Sequence, residues 1–381
     1  MKPSRYRSLL SLLLMTFIVG QTVPLKTAHA GQNLQTTLPP IIYAVAGIKT
    51  NIYFDNIVLA KDTTAYQFKF TCGLGTTHAK RWTLTATEQQ LGDHPLSLQV
   101  NAANGAPLAK ANTIVRVIPA KFAVEEPLKL LIIGDSLTHA TTYCNEVARL
   151  LSQPNNPPWK MLGTHKPTSA ADGVAHEGYG GWTWQRFASH FEPNPDGTYK
   201  KRSSPFVYPT SAGKSKLNVT KYFNEECGGE IPDVIVIMLG INDCFSANSN
   251  DPASINSRID TMFGHADILL EALQAAAPKA RIGICLTTPG NSRQEAFQAN
   301  YQDRYTRWGW KRIQHQLVQR QIAFVQSAQK REEPLFIIAT QLNLDTVDGY
   351  PVNNGVHPNA AGYQQIGATI YAAIMANLMG R

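Results

Sequence analysis

The sequence predicts a two-part chain: a small all-β sandwich followed by an α/β domain built on a mostly parallel sheet. Three observations predict it. Residues from about 35 to 120 read as short segments rich in β-branched and aromatic side chains, broken by turns and without an amphipathic helix. After Pro119 the pattern changes to short apolar runs alternating with stretches of helical spacing. Once an N-terminal leader is set aside, 351 residues remain, more than one typical core accommodates.

Residues 1–30 carry the marks of a secretory signal peptide. Lys2, Arg5 and Arg7 make a positive start, residues 9–19 are apolar apart from Ser11 and Thr16, and Ala28-His29-Ala30 is a small-x-small cleavage pattern. The apolar run is too short to span a bilayer stably. The expectation is therefore a cleaved leader of bacterial style and an exported protein, periplasmic or secreted. No later run is long enough for a transmembrane helix, so no stable membrane insertion is expected after cleavage. Cleavage removes Lys2, Arg5, Arg7 and Lys26 and no acid, leaving 31 basic against 27 acidic side chains, a net of +4 rather than +8. So small and scattered a surplus argues against a nucleic-acid partner.

The first domain is expected over residues 31–122. Its strands fall at 51–60, 66–71, 81–87, 96–100 and 113–117, with turn chemistry at Gly92-Asp93 and Asn104-Gly105. Spacing of this kind reads as an antiparallel sandwich. Pro119 and Pro127 frame a linker, and the second domain takes residues 123–381. There the apolar runs 129–133, 234–239, 281–286 and 335–340 alternate with helical stretches 141–151, 254–276, 307–330 and 360–378. Such alternation argues for a parallel sheet covered on both faces. The five cysteines, Cys72, Cys144, Cys227, Cys244 and Cys285, show no zinc spacing, so no metal is expected. Cys227 and Cys244, which flank one expected strand, are the candidate disulfide pair, and Cys285 reads as a buried apolar residue.

The chemistry lies in four segments. Residues 130–138 end a buried strand, turn at Gly134 and place Asp135-Ser136 where a helix begins. Ligands bind at the carboxyl ends of the strands in open α/β sheets, so Ser136 stands on that rim. Gly178-Tyr179-Gly180-Gly181-Trp182-Thr183 is a turn in which a backbone N–H can approach a ligand. Leu239-Gly240-Ile241-Asn242-Asp243 follows another buried strand, and Asn354-Gly355-Val356-His357-Pro358-Asn359 precedes the last helix. In order and spacing the four resemble the blocks of the SGNH, or GDSL, hydrolase superfamily over about residues 129–378. That resemblance implies a flavodoxin-like three-layer domain, no metal or organic cofactor, and carboxylic ester hydrolysis through an acyl-enzyme. It also implies Ser136 as nucleophile, His357 as its base, and Gly181 N–H and Asn242 as oxyanion donors beside the Ser136 N–H.

One position departs from the family pattern. Asn354 stands where members usually carry the aspartate that orients the histidine, and in a serine protease that exchange costs about 10⁴ in kcat. Asn354 itself, Asp348, or no group at all (a Ser–His dyad) are the alternatives. His176, Trp182 and Trp184 are candidate substrate contacts, each with a competing reading as loop or core structure. The expected substrate is a small ester or an O-acetylated carbohydrate. Acyl transfer to a glycan hydroxyl and glycan binding by a decayed site are the competing functions.

Overall fold

In the computed structural model, residues 34–121, 126–154, 156–194, 196, 202–211 and 214–378 are described. The expected signal peptide and the expected boundary at 122/123 lie outside them. Seven strands precede that boundary: β1 (Ile41–Val45), β2 (Lys49–Tyr53), β3 (Tyr66–Thr71), β4 (Thr76–Thr77), β5 (Arg81–Thr85), β6 (Gly92–Ala102) and β7 (Pro107–Ile118). They form a sheet ordered β1-β7-β6-β3 and a smaller one ordered β2-β5-β4. Period-two alternation sends Leu96, Leu98 and Val100 of β6 and Val115 and Val117 of β7 inward. There they join Ile42, Ile52, Trp82 and Leu84 between the sheets.

Two expectations change. β1 runs parallel to β7, so the larger sheet is mixed rather than antiparallel. The strand expected at 51–60 stops at Tyr53, where the chain turns through a single 3₁₀ turn, Phe54–Asn56. Asn56 donates from Nδ2 to the carbonyls of Leu342 (3.4 Å) and Leu344 (2.8 Å), which draws this stretch out of the sheet.

The remaining strands are β8 (Leu128–Gly134), β9 (Trp159–Leu162), β10 (Glu177–Gly178), β11 (Val207–Pro209), β12 (Ser215–Leu217), β13 (Val234–Met238), β14 (Arg281–Cys285) and β15 (Leu335–Ile338). β11 and β12 make a small antiparallel ribbon; the others form one parallel six-stranded sheet. β9 and β10 share one edge of β8, and β13, β14 and β15 follow on its other side. Every residue of β13 and β15 is buried, as a doubly covered sheet requires. The helices are α1 (Ser136–His139), α2 (Thr142–Leu151), α3 (Trp184–Ser189), α4 (Val219–Glu225), α5 (Ile241–Cys244), α6 (Pro252–Ala276), α7 (Gln294–Tyr301), α8 (Arg307–Lys330) and α9 (Ala360–Leu378). α3, α4, α6 and α8 bury Phe187, Tyr222, Leu269 and Leu317 on one face of the sheet. α2 and α9 bury Val147, Ile366 and Ile370 on the other.

The β part and the α/β part share a core. Ala339 and Leu342, just past β15, pack into the sandwich cluster. Asn343 Oδ1 accepts from Asn51 N (2.9 Å) and Nδ2 (3.0 Å), and Lys311 Nζ of α8 lies 2.6 Å from Asp55 Oδ1. Residues 33–381 form one compact unit. All five cysteines are unbridged, so Cys227 and Cys244 do not pair: Cys244 is buried at the end of α5, while Cys227 is half-buried beyond α4. Among the described residues no helix is long and apolar enough to cross a membrane.

Candidate active site

Three strand ends and one return loop converge on the sheet's carboxyl rim. β8 ends at Gly134, where a Cβ would sit 1.8 Å from Thr138 Oγ1, so only glycine lets the chain turn tightly into α1. Asp135 caps α1 by accepting from Leu137 N (3.0 Å), and Ser136 is the helix's first residue. β10 leads into the glycine turn, whose Tyr179 N donates to Gly134 O (3.1 Å) and whose Gly181 has φ +74°. β13 leads into α5, which carries Asn242. The loop before α9 brings back His357, whose Nε2 lies 2.9 Å from Ser136 Oγ across 221 residues of sequence.

Together these residues line a cleft of about 220 Å³. Gly181 and Asn242 border it beside Ser136. Asn242 Nδ2 lies 3.1 Å from Trp182 O and 3.3 Å from Asp135 Oδ2, tying all three strand-end loops together. Burial raises Asp135 to about 7, and Asp243, buried nearby and repelled by Asp135, is likewise raised to about 7. Burial lowers His357 below its ordinary 6.5, which keeps its base form populated into mildly acidic solution.

No acid completes a triad among the described residues. Asn354 Oδ1 accepts from Val356 N (3.1 Å) and His357 N (2.9 Å), so the side chain builds an Asx turn in the backbone. Asp348 is exposed, with its backbone held by Asp345 Oδ1 and Asn359 Nδ2. The His357 ring makes one hydrogen bond among the described residues, to Ser136. The loop around it is fixed by its neighbours instead. Asn291, 1 % exposed, donates from Nδ2 to Pro351 O and Asn354 O, each 2.9 Å, while its own N–H reaches Gly355 O at 2.8 Å. Asn300 Oδ1 accepts from Gly355 N at 2.7 Å.

The three expected substrate contacts are corrected by their burial. His176 is 0 % exposed: its Nδ1 accepts from Gly178 N (3.0 Å) and its Nε2 donates to Thr141 Oγ1 (3.0 Å), while burial pushes it down to about 3. It braces the glycine turn from behind. Trp182 and Trp184, 7 % and 3 % exposed, are core residues packed with Phe187, and neither lines the cleft. The aromatic wall of the cleft comes from elsewhere: Phe245, Tyr301, Tyr305 and Trp310. Trp310 stacks between Phe245 (6.0 Å, 17°) and Tyr301 (6.3 Å, 16°), with Tyr305 edge-on to both flanking rings. These residues come from three separate segments. The one local signal is the aromatic density of 301–310. Among the described residues no group of three or more His, Cys, Asp or Glu side chains converges to hold a metal.

The family model for GDSL-like lipase/acylhydrolase proteins matches residues 132–365. Similar solved structures include a carbohydrate esterase family 3 protein from Talaromyces cellulolyticus, 18 % identical, covering 67 % of this chain and 99 % of that one with a TM-score of 0.41. They also include an aryl esterase from M. smegmatis (14 %, 65 % and 99 %, TM-score 0.37) and a carbohydrate acetylesterase from Sinorhizobium meliloti (15 %, 65 % and 99 %, TM-score 0.36). A search of the curated proteins found no match.

Proposed function

The chain belongs to the GDSL-like lipase/acylhydrolase family and is a carboxylic ester hydrolase, and from that premise we propose an exported enzyme that removes O-acetyl groups from carbohydrate through an acyl-enzyme on Ser136. The observation that carries the mechanism is the 2.9 Å approach of His357 Nε2 to Ser136 Oγ at the cleft floor. Ser136 O–H gives its proton to His357 as Oγ attacks the ester carbonyl. The resulting oxyanion is held by the N–H groups of Ser136 and Gly181 and by the Asn242 amide, which turns from Trp182 O toward the new charge. His357 then protonates the departing alcohol, water attacks the acyl-enzyme by the same route, and Ser136 is released. His357 works as a dyad base, with its ring direction set by the loop that Asn291, Asn300 and the Asn354 turn hold rigid.

The size and lining of the cleft support the substrate. At about 220 Å³ it is smaller than the roughly 300–1,000 Å³ of most ligand sites, which suits a short acyl group. The flat rings of Tyr301 and Tyr305 suit the C–H face of a sugar. Export rests on the leader at residues 1–30.

The test is turnover of p-nitrophenyl acetate, p-nitrophenyl palmitate and an acetylated oligosaccharide by the wild type and Ser136→Ala, with fluorophosphonate labelling. The expected result is release of acetate from the first and third, labelling at Ser136, and loss of both in the variant. Preference for palmitate would overturn the carbohydrate reading. Unchanged turnover in Ser136→Ala would overturn the nucleophile.

A further inference from the structure

Three hollows share lining residues in series. The cleft over Ser136 shares Phe245, Tyr305 and Trp310 with a trough of about 440 Å³. That trough shares Ser249 and Asn250 with a third hollow of about 350 Å³, whose lining includes Gln35 and Leu59 from the β part. A further large hollow, beside Tyr179 and Tyr208, shares no lining residue with the cleft.

The lining changes chemistry along this path. Beside Ser136 it is aromatic; past Tyr305 it presents Ser246, Asn250, Asp303 and Arg304, all exposed. Farther on come Asn256, Gln316 and Gln319. The ridge between the second and third hollows is built rather than loose. Arg312 Nη1 donates to Ser249 O (3.0 Å) and Asn250 Oδ1 (2.5 Å), and its guanidinium lies 5.4 Å from the Trp308 ring centroid. A chain of linked sugars would meet one aromatic face and then amides and hydroxyls that match its own hydroxyl groups.

We propose that the cleft, trough and outer hollow form one extended binding groove for an oligosaccharide backbone, so that the enzyme acts on acetyl groups carried by a polymer. The sugar bearing the ester sits at the aromatic wall, its neighbour occupies the trough, and a further unit reaches the hollow bordered by Gln35 and Leu59. On this account the β part completes the far end of the groove. The inference rests on the O-acetyl glycan reading and adds to it a direction and a length.

The test is kcat/KM for acetate release from a series of acetylated oligosaccharides of increasing length, each normalised to p-nitrophenyl acetate. The wild type should gain at least about tenfold in kcat/KM from the monosaccharide to the longest substrate, equivalent to about 1.4 kcal/mol. Ser246→Trp, which fills the trough from an exposed position, should flatten the whole rise. Gln319→Ala, a surface truncation that leaves the fold intact, should flatten only its long end. A length-independent profile in the wild type, or an unchanged rise in both variants, would overturn the groove while leaving the acetylesterase reading in place. Turnover of p-nitrophenyl acetate with no acetate from any oligosaccharide would overturn the glycan reading and the groove with it.

Discussion

Changing Asn354 to aspartate should raise both the proton affinity of His357 and the turnover rate. The Asn354 side chain is held in the turn directly before the histidine by the N–H groups of residues 356 and 357, at 3.1 and 2.9 Å. A carboxylate keeps that acceptor and replaces the amide nitrogen, a donor facing the same way, with a second charged oxygen. At an effective dielectric of about 20 a contact pair at about 4 Å is worth about 4 kcal/mol, so a charge in the neighbouring turn shifts the ring by less than about 3 pKa units. The sign follows from the active form. On the proposed dyad, catalysis needs neutral His357, and burial now lowers it, so the acid limb of the wild type is expected below 6.5. The new charge favours the imidazolium, so the limb of Asn354→Asp should move upward, by less than about 3 units. Above that limb kcat should rise at least about tenfold, with about 10⁴ as the ceiling set by the reverse exchange in a serine protease. The assay is kcat and kcat/KM on p-nitrophenyl acetate from about pH 5 to about pH 9, both limbs fitted. An unmoved acid limb with unchanged kcat would refute the reasoning, because it would mean that His357 is already paired with another charge.

Three further outcomes are expected. Asn291→Ala leaves the carbonyls of Pro351 and Asn354 without their buried donor, so denaturant unfolding should show a loss of about 2–4 kcal/mol. In the same variant kcat should fall more than KM rises; an unaltered kcat would show that the His357 loop does not depend on this clamp. Asp55→Ala strands the Lys311 ammonium, whose side chain is 12 % exposed, and should cost about 3–5 kcal/mol, most of it restored by pairing Asp55→Leu with Lys311→Met. A loss under about 1 kcal/mol would show the pair to be adequately solvated. His315 is buried with its pKa pushed down to about 4, so the unfolded chain protonates first as pH falls below 6.5 and stability drains away on the acid side. Between neutrality and pH 5 this one group should cost about 2 kcal/mol, read as the difference between the wild type and His315→Gln in urea. Asp135 and Asp243 act in the opposite sense, taking up protons on folding below about pH 7, so only the difference between the two proteins isolates the histidine.

The four rim segments were legible in the sequence because each is local. A buried strand that ends in glycine followed by a short polar residue defines its own geometry, whatever the rest of the chain does. The parallel character of the sheet followed from the same alternation of apolar runs and helices, whereas its strand order emerged only in the fold. Trp182 and Trp184 misled because a tryptophan in a turn carries no mark of which side faces water. Their indoles proved to be core packing against Phe187. The aromatic wall was illegible for the complementary reason: Phe245, Tyr301 and Trp310 stack only after α5, α7 and α8 have been brought together.

What the sequence determined by itself was the local layout of the rim: a serine after a strand, a histidine before the last helix, and glycine and asparagine at neighbouring strand ends. Local backbone rules and residue type suffice for that. Only the tertiary structure decided what orients the histidine and what the substrate meets. Asn354 spends its carbonyl on two backbone N–H groups, and the clamp on its loop comes from Asn291 and Asn300, more than 50 residues earlier in the chain. The cleft wall is assembled from segments whose separation in sequence says nothing of their distance in space. Side-chain direction and long-range contact are settled by packing, and packing exists only once the chain has closed on itself.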